Sequence, residues 1–493
     1  NGTRAKMRCL AQVRPTVPLL QRAVPGRSLP RYGSIATRKL ASASTSAQPR
    51  LSQLRVQQDR LMETIHYTSR WGTGARWGER PTDTGMSRLT LSDADKEARD
   101  WFVDTTRSLG CHITVDAIGN IFAVRPGKKE GPATFVGSHL DTQPTGGRYD
   151  GVLGVQAGIE MLRVLHESEI QTEYAVGVVN WTNEEGARFP VSMMGSGVWS
   201  GFFPLEDAYN LRSVIGNQVT LREELERIGY LGQTPASYES MPMAAHFELH
   251  IEQGPALEAE RRKIGVVQGV QAYNWFTVEI QGKDSHTGTT PLANRSDALL
   301  LASKFILHSH RIATKHSALV TTGILTALPG STNTIPGLVR FTLDVRSPKN
   351  ETVEAVEADL KRDFATLASG QDVGDLRAGG TAGRNEFKVS WTTDSATSAT
   401  VFHEDCIRCV REATSDVFGD RTKELVRDIS SGAGHDSVYA SRRCPTTMIF
   451  IPCRDGVSHN PAEYSTPEDC ALGTQVVLNS VLRYDELRKA ADA

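Results

Sequence analysis

Apolar positions along the chain switch between two periods, and the switches mark its elements. Residues 133–138 read as a buried strand, a glycine-rich loop follows, and 152–165 read as an apolar helix. A second β-rich run covers 174–181. Strand, helix and strand in that order imply a right-handed βαβ unit and a mostly parallel sheet flanked by helices. Upstream, 60–67 opens a helix, Ser92 precedes a helix ending near Gly110, and 111–115 and 120–124 are short strands around a turn. Downstream, 205–228 is mostly helical with a break near 213–219. The run HFELHI at 246–251 has a period of two, which sets His246, Glu248 and His250 on one face and Phe247, Leu249 and Ile251 on the other.

The pattern changes near Gln271. Strand 275–280, helix 296–316, strands 319–328 and 338–345, helix 351–367 and strand 386–391 spell βαββαβ, a ferredoxin-like order the size of an inserted domain. The first pattern then returns: helix 397–418, strand 424–429, strand 446–452 and a last helix over 467–487. The chain therefore reads as α/β, with a catalytic domain in two pieces, 59–270 and 393–493, around an insert at 271–392.

Composition changes this picture at one end only. Of 493 residues, 39% are hydrophobic and 23% charged, ordinary for a globular chain. The net charge of −2 conceals a segment, 1–58, with eleven Lys or Arg and no acid; the rest has 44 basic against 57 acidic residues, a balance of −13. Such an Arg- and Ser-rich, acid-free start predicts a disordered mitochondrial targeting segment, with a cytoplasmic protein as the other expectation. The acidic remainder gives no footprint for nucleic acid. No apolar run approaches the ~20 residues of a membrane helix. Seven scattered cysteines suggest reduced thiols, and Cys406-x-x-Cys409, with no second pair, reads as helix packing.

The candidate chemistry sits at strand ends. His139, Asp141 and Asp150 lie on the loop after 133–138, and Glu184-Glu185 end the next strand. His246, Glu248 and His250 stay equally open on periodicity alone, and His459 lies beyond 446–452. Imidazole and carboxylate sets without thiolate suit Zn²⁺, Mn²⁺, Co²⁺ or Ni²⁺. One carboxylate could bridge two ions, and of two adjacent glutamates one can bind metal while the other moves a proton.

The segments GSHLDTQPTGGRYDGVLGV, NEEGARF, HFELHIEQGP, VQAYNW, SHTGTTP, NTIPG, FTLDVR, SGAGHDS and GVSHNPAEYS occur in this order. Over roughly 60–490 the chain resembles the hydantoinase/carbamoylase branch of the di-metal aminoacylase and carboxypeptidase superfamily, leaning toward its fungal β-ureidopropionase type. The resemblance implies two divalent metal ions per subunit, with zinc foremost. His139 and His250 would bind one ion, Glu185 and His459 the other, and Asp150 both. Glu184 would be the general acid/base, Asp141 would orient His139, and His286 would polarise the scissile carbonyl. Asn333 and Arg346 would hold a substrate carboxylate, Gln253 would be a further contact, and His435 and Asp436 would back the ligands. The Asp150-Gly151 peptide is expected to be cis. Thr287 departs from the alanine common in relatives and adjoins His286.

The implied reaction is hydrolysis of the carbamoyl C–N bond of N-carbamoyl amino acids, N-carbamoyl-β-alanine first, releasing amino acid, CO₂ and ammonia. An allantoate amidohydrolase is the alternative. An N-acyl aminoacylase or peptidase fits HIEQGP less well, and the intact ligand set argues against a silent binding protein. The resemblance also implies a homodimer formed through the insert, with His286, Asn333 or Arg346 reaching the partner's metal site.

Overall fold

The structure, a computed structural model, describes residues 53–376 and 387–492. The targeting segment expected at 1–58 lies almost wholly outside the described residues. Its last six residues do not: Leu54 is buried in the main core, and Val56 N–H donates to Gln475 Oε1 at 3.1 Å. Residues 53–58 therefore belong to the folded part of the chain, and the boundary expected at 58 is too late.

The main sheet has nine strands. Its centre is parallel, in the order Val176–Trp181, Ala133–His139, Met243–Ile251 and Thr446–Ile451. Both sides join this centre through antiparallel pairs, so the sheet is mixed and not mostly parallel. On one side Ile121–Arg125 and His112–Val115 form a hairpin against Val176–Trp181. Asp116 Oδ1 closes its turn by accepting the Ile118 and Asn120 N–H groups. On the other side Ile264–Val270 runs antiparallel to Thr446–Ile451 and parallel to Val426–Ser431. The sequence reading missed this strand. The start of the helix expected at 397–418 is instead a short strand, Thr400–Val401, and the helix is Glu404–Phe418.

Both faces of the sheet are covered. Val136, Val176 and Val178 enter a large core shared with the helices Val152–Glu167 and Pro467–Ala491; Phe135, Val179 and Trp181 enter a smaller one with Trp199. Val152–Glu167 is apolar nearly all round because it is covered nearly all round. It begins at Gly151, whose φ of +65° turns the chain sharply. The Asp150-Gly151 peptide is trans, contrary to expectation; the turn is made at the glycine φ.

A second, wholly antiparallel sheet runs in the order Leu319–Thr321, Leu338–Ser347, Ala272–Gln281, Lys388–Thr397, with Leu325–Leu328 also on Leu338–Ser347. The helices Ala298–His316 and Asn350–Ala368 share its separate core, where Phe305 and Phe364 stack 3.9 Å apart. All six described cysteines are free and buried; burial pushes the Cys409 thiol up to about 11, as packing residues require. Among the described residues no helix is long and apolar enough to cross a membrane.

Candidate active site

The C-terminal ends of the central parallel strands converge on Asp150. Its Oδ1 lies 3.1 Å from His250 Nε2 and 3.7 Å from His139 Nε2. Its Oδ2 lies 3.3 Å from His459 Nε2, which is itself 3.5 Å from Glu185 Oε2. Two sets of ligand atoms result, His139–Asp150–His250 and Asp150–Glu185–His459, each within 4.8 Å. Backbone carbonyls fix both buried imidazoles: His139 Nδ1 donates to Asp141 O and His250 Nδ1 to Ile251 O, each at 2.8 Å. A carbonyl can only accept, so each Nδ1 carries a proton and Nε2 is the nitrogen turned toward Asp150.

The alternatives left open on the strand Met243–Ile251 now separate. His250, at the strand's end, faces Asp150. Glu248 accepts the Ser138 and Ser437 hydroxyls at 2.6 and 2.7 Å, and His246 sits deeper against Trp181 and Ser437. His435 packs edge-on against His250 with ring centres 4.5 Å apart, and Asp436 takes the Ser196 hydroxyl.

Asp141 orients His139 as expected, and does more. Its backbone carbonyl orients His139, while its carboxylate accepts the Glu184 and Glu185 N–H groups at 3.4 and 3.3 Å. It thereby holds the turn that presents the two glutamates. Asn183, with φ of +56°, makes that turn, and His459 and Gln253 also lie at positive φ. Backbone strain of this kind gathers where a side chain must be aimed.

The electrostatics leave the site short of positive charge. Burial alone would raise the Asp150 pKa, but hydrogen bonds from His250 and His459 and the charges of His250 and His139 outweigh it and hold the group well below the usual range. Glu184 is pushed well above its usual range by burial and then by the charges of Asp436, Glu185, Asp150 and Asp141. Glu185 is raised by burial and by Asp150 and Asp141. Among the described residues no Lys or Arg forms an ion pair with these three carboxylates. Buried carboxylates this close call for bound cations, and the donor set fits divalent ions.

A cavity of about 340 Å³ opens over the cluster. Glu184, Glu185, His459 and Gln253 lie on its floor side, and Tyr273, Trp275 and Arg346 come from the second sheet. Arg346 is held by Asp344 through Nε and Nη2, and its Nη1 donates to Gly432 O at 2.6 Å. That leaves one N–H on each terminal nitrogen for a ligand. Gln253 Nε2 donates to Asp150 Oδ2 at 2.8 Å, whereas its buried Oε1 has no protein partner.

His286 and Asn333 do not line this cavity. Both are exposed: His286 ends a short strand paired with Thr334–Ile335, Asn333 lies in the turn just before that strand, and Thr287 N–H donates to Asn333 O at 3.1 Å. The sequence reading also gave no role to Gln143, which donates twice to Glu185, or to Glu463, described below. Gln143 stands beside His139 and Asp141 on the same loop, a proximity that could have marked it.

The family pattern for peptidase family M20/M25/M40 matches residues 135–483. The chain belongs to that family. It is 37% identical over 436 residues to the N-carbamoyl-L-amino-acid amidohydrolase of Rhizobium meliloti, across 88% of this chain and 98% of that protein. It is 32% identical over 405 residues to the ureidoglycolate hydrolase of Arabidopsis thaliana, across 80% of each. Among solved structures, a hydantoinase/carbamoylase family amidase from Burkholderia multivorans matches with a TM-score of 0.78 and 39% identity, covering 87% of this chain and 98% of that one. The chain thus lies in the hydantoinase/carbamoylase branch of the M20 family and is a hydrolase of C–N bonds in linear amides.

Proposed function

We propose that this M20 hydrolase cleaves the carbamoyl C–N bond of an N-carbamoyl amino acid, with N-carbamoyl-β-alanine as first substrate. The observation that carries the reading is Arg346 in the same cavity as Asp150, Glu184 and Glu185. A ureido carboxylate has two ends, and such a cavity offers a cationic anchor for one and a hydrolytic centre for the other. The amidohydrolase relatives support the class; HLDTQPTGG, AYNW and FELHIEQGP support the β-alanine derivative.

His139, Asp150 and His250 would hold one divalent ion, and Asp150, Glu185 and His459 the second. Bound there, such ions polarise a carbonyl and acidify water. Glu184 takes a proton from the attacking water and returns it to the leaving nitrogen; the released carbamate decomposes to CO₂ and ammonia. Asp141 holds Glu184 in place through its N–H. Arg346 receives the substrate carboxylate through its two remaining N–H groups, and the orphan Gln253 Oε1 accepts a ureido N–H.

The second sheet acts as a lid and dimer surface. Its edge exposes Leu319 (61%), Ile324 (64%) and Leu325 (44%), an apolar stretch suited to a second subunit. Arg346 lies at its own subunit's cavity and therefore acts in cis. His286 and Asn333, exposed together away from that cavity, are the groups offered to the partner's site.

A second reading, hydrolysis of ureidoglycolate, is favoured by the plant relative, and allantoate is the alternative implied by the resemblance. Ammonia release from N-carbamoyl-β-alanine, N-carbamoyl-L-α-amino acids, ureidoglycolate and allantoate decides between them. The first proposal is abandoned if kcat/KM for either of the last two exceeds that for every carbamoyl amino acid.

A further inference from the structure

Glu463 is 2% exposed and lies four residues beyond His459. Its hydrogen bonds gather around Asp150, the residue common to both ligand sets. Oε1 accepts the backbone N–H of Tyr149 at 2.9 Å and of Asp150 at 3.0 Å. Oε2 lies 2.9 Å from the Ser458 hydroxyl, and that hydroxyl is 2.8 Å from Asp150 Oδ2. Glu463 thus grips Asp150 by its backbone directly and shares with its side chain the Ser458 hydroxyl, whose one proton serves one of the two carboxylates at a time. Capping a turn would require only the two backbone bonds; the Ser458 bridge has no part in capping.

The facing loop is shaped to admit this carboxylate. A Cβ on Gly147 would lie 2.2 Å from Glu463 Oε1 and 2.3 Å from its Cβ, so any larger residue would displace it. One glycine of the pair Gly146-Gly147 is therefore explained by a residue more than three hundred positions away.

We propose that Glu463 is a positioning residue for Asp150, fixing its carboxylate so that Oδ1 faces His139 and His250 while Oδ2 faces His459. The inference rests on the two-metal reading. It carries an asymmetry, because Ser458, His459 and Glu463 share one loop. Loss of Glu463 should weaken the ion held by Asp150, Glu185 and His459 more than the ion held by His139, Asp150 and His250.

The test is Co²⁺ titration of the chelator-stripped full chain, followed by visible absorption and calorimetry. Wild type should give two binding events. Glu463→Ala should weaken one by roughly 10–100-fold, the range for removing an outer partner of a metal ligand, and spare the other. Glu463→Gln keeps an oxygen for both backbone N–H groups and should recover most of the affinity. In a His459→Ala background, already lacking the affected event, Glu463→Ala should add little. Gly147→Ala pushes on the same carboxylate from the opposite side and should reproduce the selective loss, as should Ser458→Ala; this pair decides the matter if Glu463→Ala does not fold. Two unaltered events, or equal weakening of both, in folded Glu463→Ala or in the Gly147→Ala and Ser458→Ala pair overturns the proposal. A wild-type chain that binds fewer than two ions overturns the two-metal reading and this proposal with it, so the two failures are told apart.

Discussion

The strand Met243–Ile251 buries the face that carries His246, Glu248 and His250 as completely as the face that carries Phe247, Leu249 and Ile251. In the second sheet, Leu338–Ser347 buries Val339, Phe341, Leu343 and Val345 and leaves Arg340, Thr342, Asp344 and Arg346 at least partly exposed. Both strands alternate with a period of two. In the second sheet the alternation follows solvent, and a polar residue on the outer face costs little. In the main sheet it opposes solvent, and each buried titratable group needs partners. Glu248 finds hydroxyls and His250 finds Asp150. Glu184 and Glu185 carry more negative charge than their surroundings balance. Agreement between polarity and exposure builds a fold, and disagreement marks chemistry.

The largest test of this contrast is removal of cations. Chelation should reduce hydrolysis to background, and Zn²⁺, Mn²⁺, Co²⁺ or Ni²⁺ should restore it. Full activity in protein shown by elemental analysis to be metal-free would break the comparison, since the carboxylate cluster would then need no counter-charge. Within the cluster, Glu184→Gln should keep metal and lower kcat by roughly 10²–10⁴-fold by removing the proton carrier. Glu185→Gln should first lose metal. Near-normal turnover in Glu184→Gln would reassign its role.

A smaller effect separates the sheets by subunit. Glu184→Ala and His286→Ala are each expected to be inactive. Exchanged at random into C2 dimers, they should recover about a quarter of the wild-type rate if His286 serves the partner's site, because mixed dimers then keep one intact site. A mixture of Glu184→Ala with Arg346→Ala should recover nothing, since Arg346 lies at its own cavity. Recovery in the second mixture, with none in the first, would reverse the cis and trans assignments.

The second core offers a stability change that the metal centre should not feel. Phe305→Ala opens a cavity beside Phe364 and should cost about 3–5 kcal/mol. Denaturant unfolding measures the loss, and Co²⁺ stoichiometry of the folded variant should be unchanged. Loss of metal in step with the mutation would mean that the two sheets do not hold their parts independently.

Residue pattern made the site more legible than the sheet. His139, Asp150, Glu184, Glu185 and His459 stand out at their strand ends, because a ligand's chemistry is local to its loop, whereas His250 is separated from His246 and Glu248 only by the resemblance. Asp141 does orient His139, but through its backbone carbonyl, and its carboxylate has other partners that sequence does not reveal. Ile264–Val270 was missed because Gly265 and Gly269 dilute the strand signal. Both glycines have a physical reason: a Cβ at Gly269 would lie 2.0 Å from Thr400 O, and one at Gly265 2.8 Å from Ile429 Cγ2. Glu463 escaped because its partners Tyr149 and Asp150 are more than three hundred residues away. His286 and Asn333 were placed by resemblance alone, and one subunit does not bring them to the cavity.

The smallest expected effect concerns where the catalytic chain begins. Cutting before Gln53 leaves every described residue in place and should leave activity and unfolding midpoint unchanged. Cutting six residues later, before Asp59, should not be silent. Leu54 is 4% exposed in the main core, and its backbone carbonyl accepts from Gln475 Nε2 at 3.2 Å. Val56 N–H returns to Gln475 Oε1, and Gln57 N–H donates to Glu160 Oε1 at 2.9 Å. These contacts tie the start of the helix Gln58–Thr68 to Val152–Glu167 and Pro467–Ala491, the helices beneath the metal loops. Re-exposing a leucine-sized side chain costs about 1.5–3 kcal/mol, so the shorter chain should unfold at lower denaturant with its metal sites intact. Equal midpoints for the two truncations would show that 53–58 contribute nothing. A loss of stability already on cutting before Gln53 would mean that the basic segment itself supports the fold.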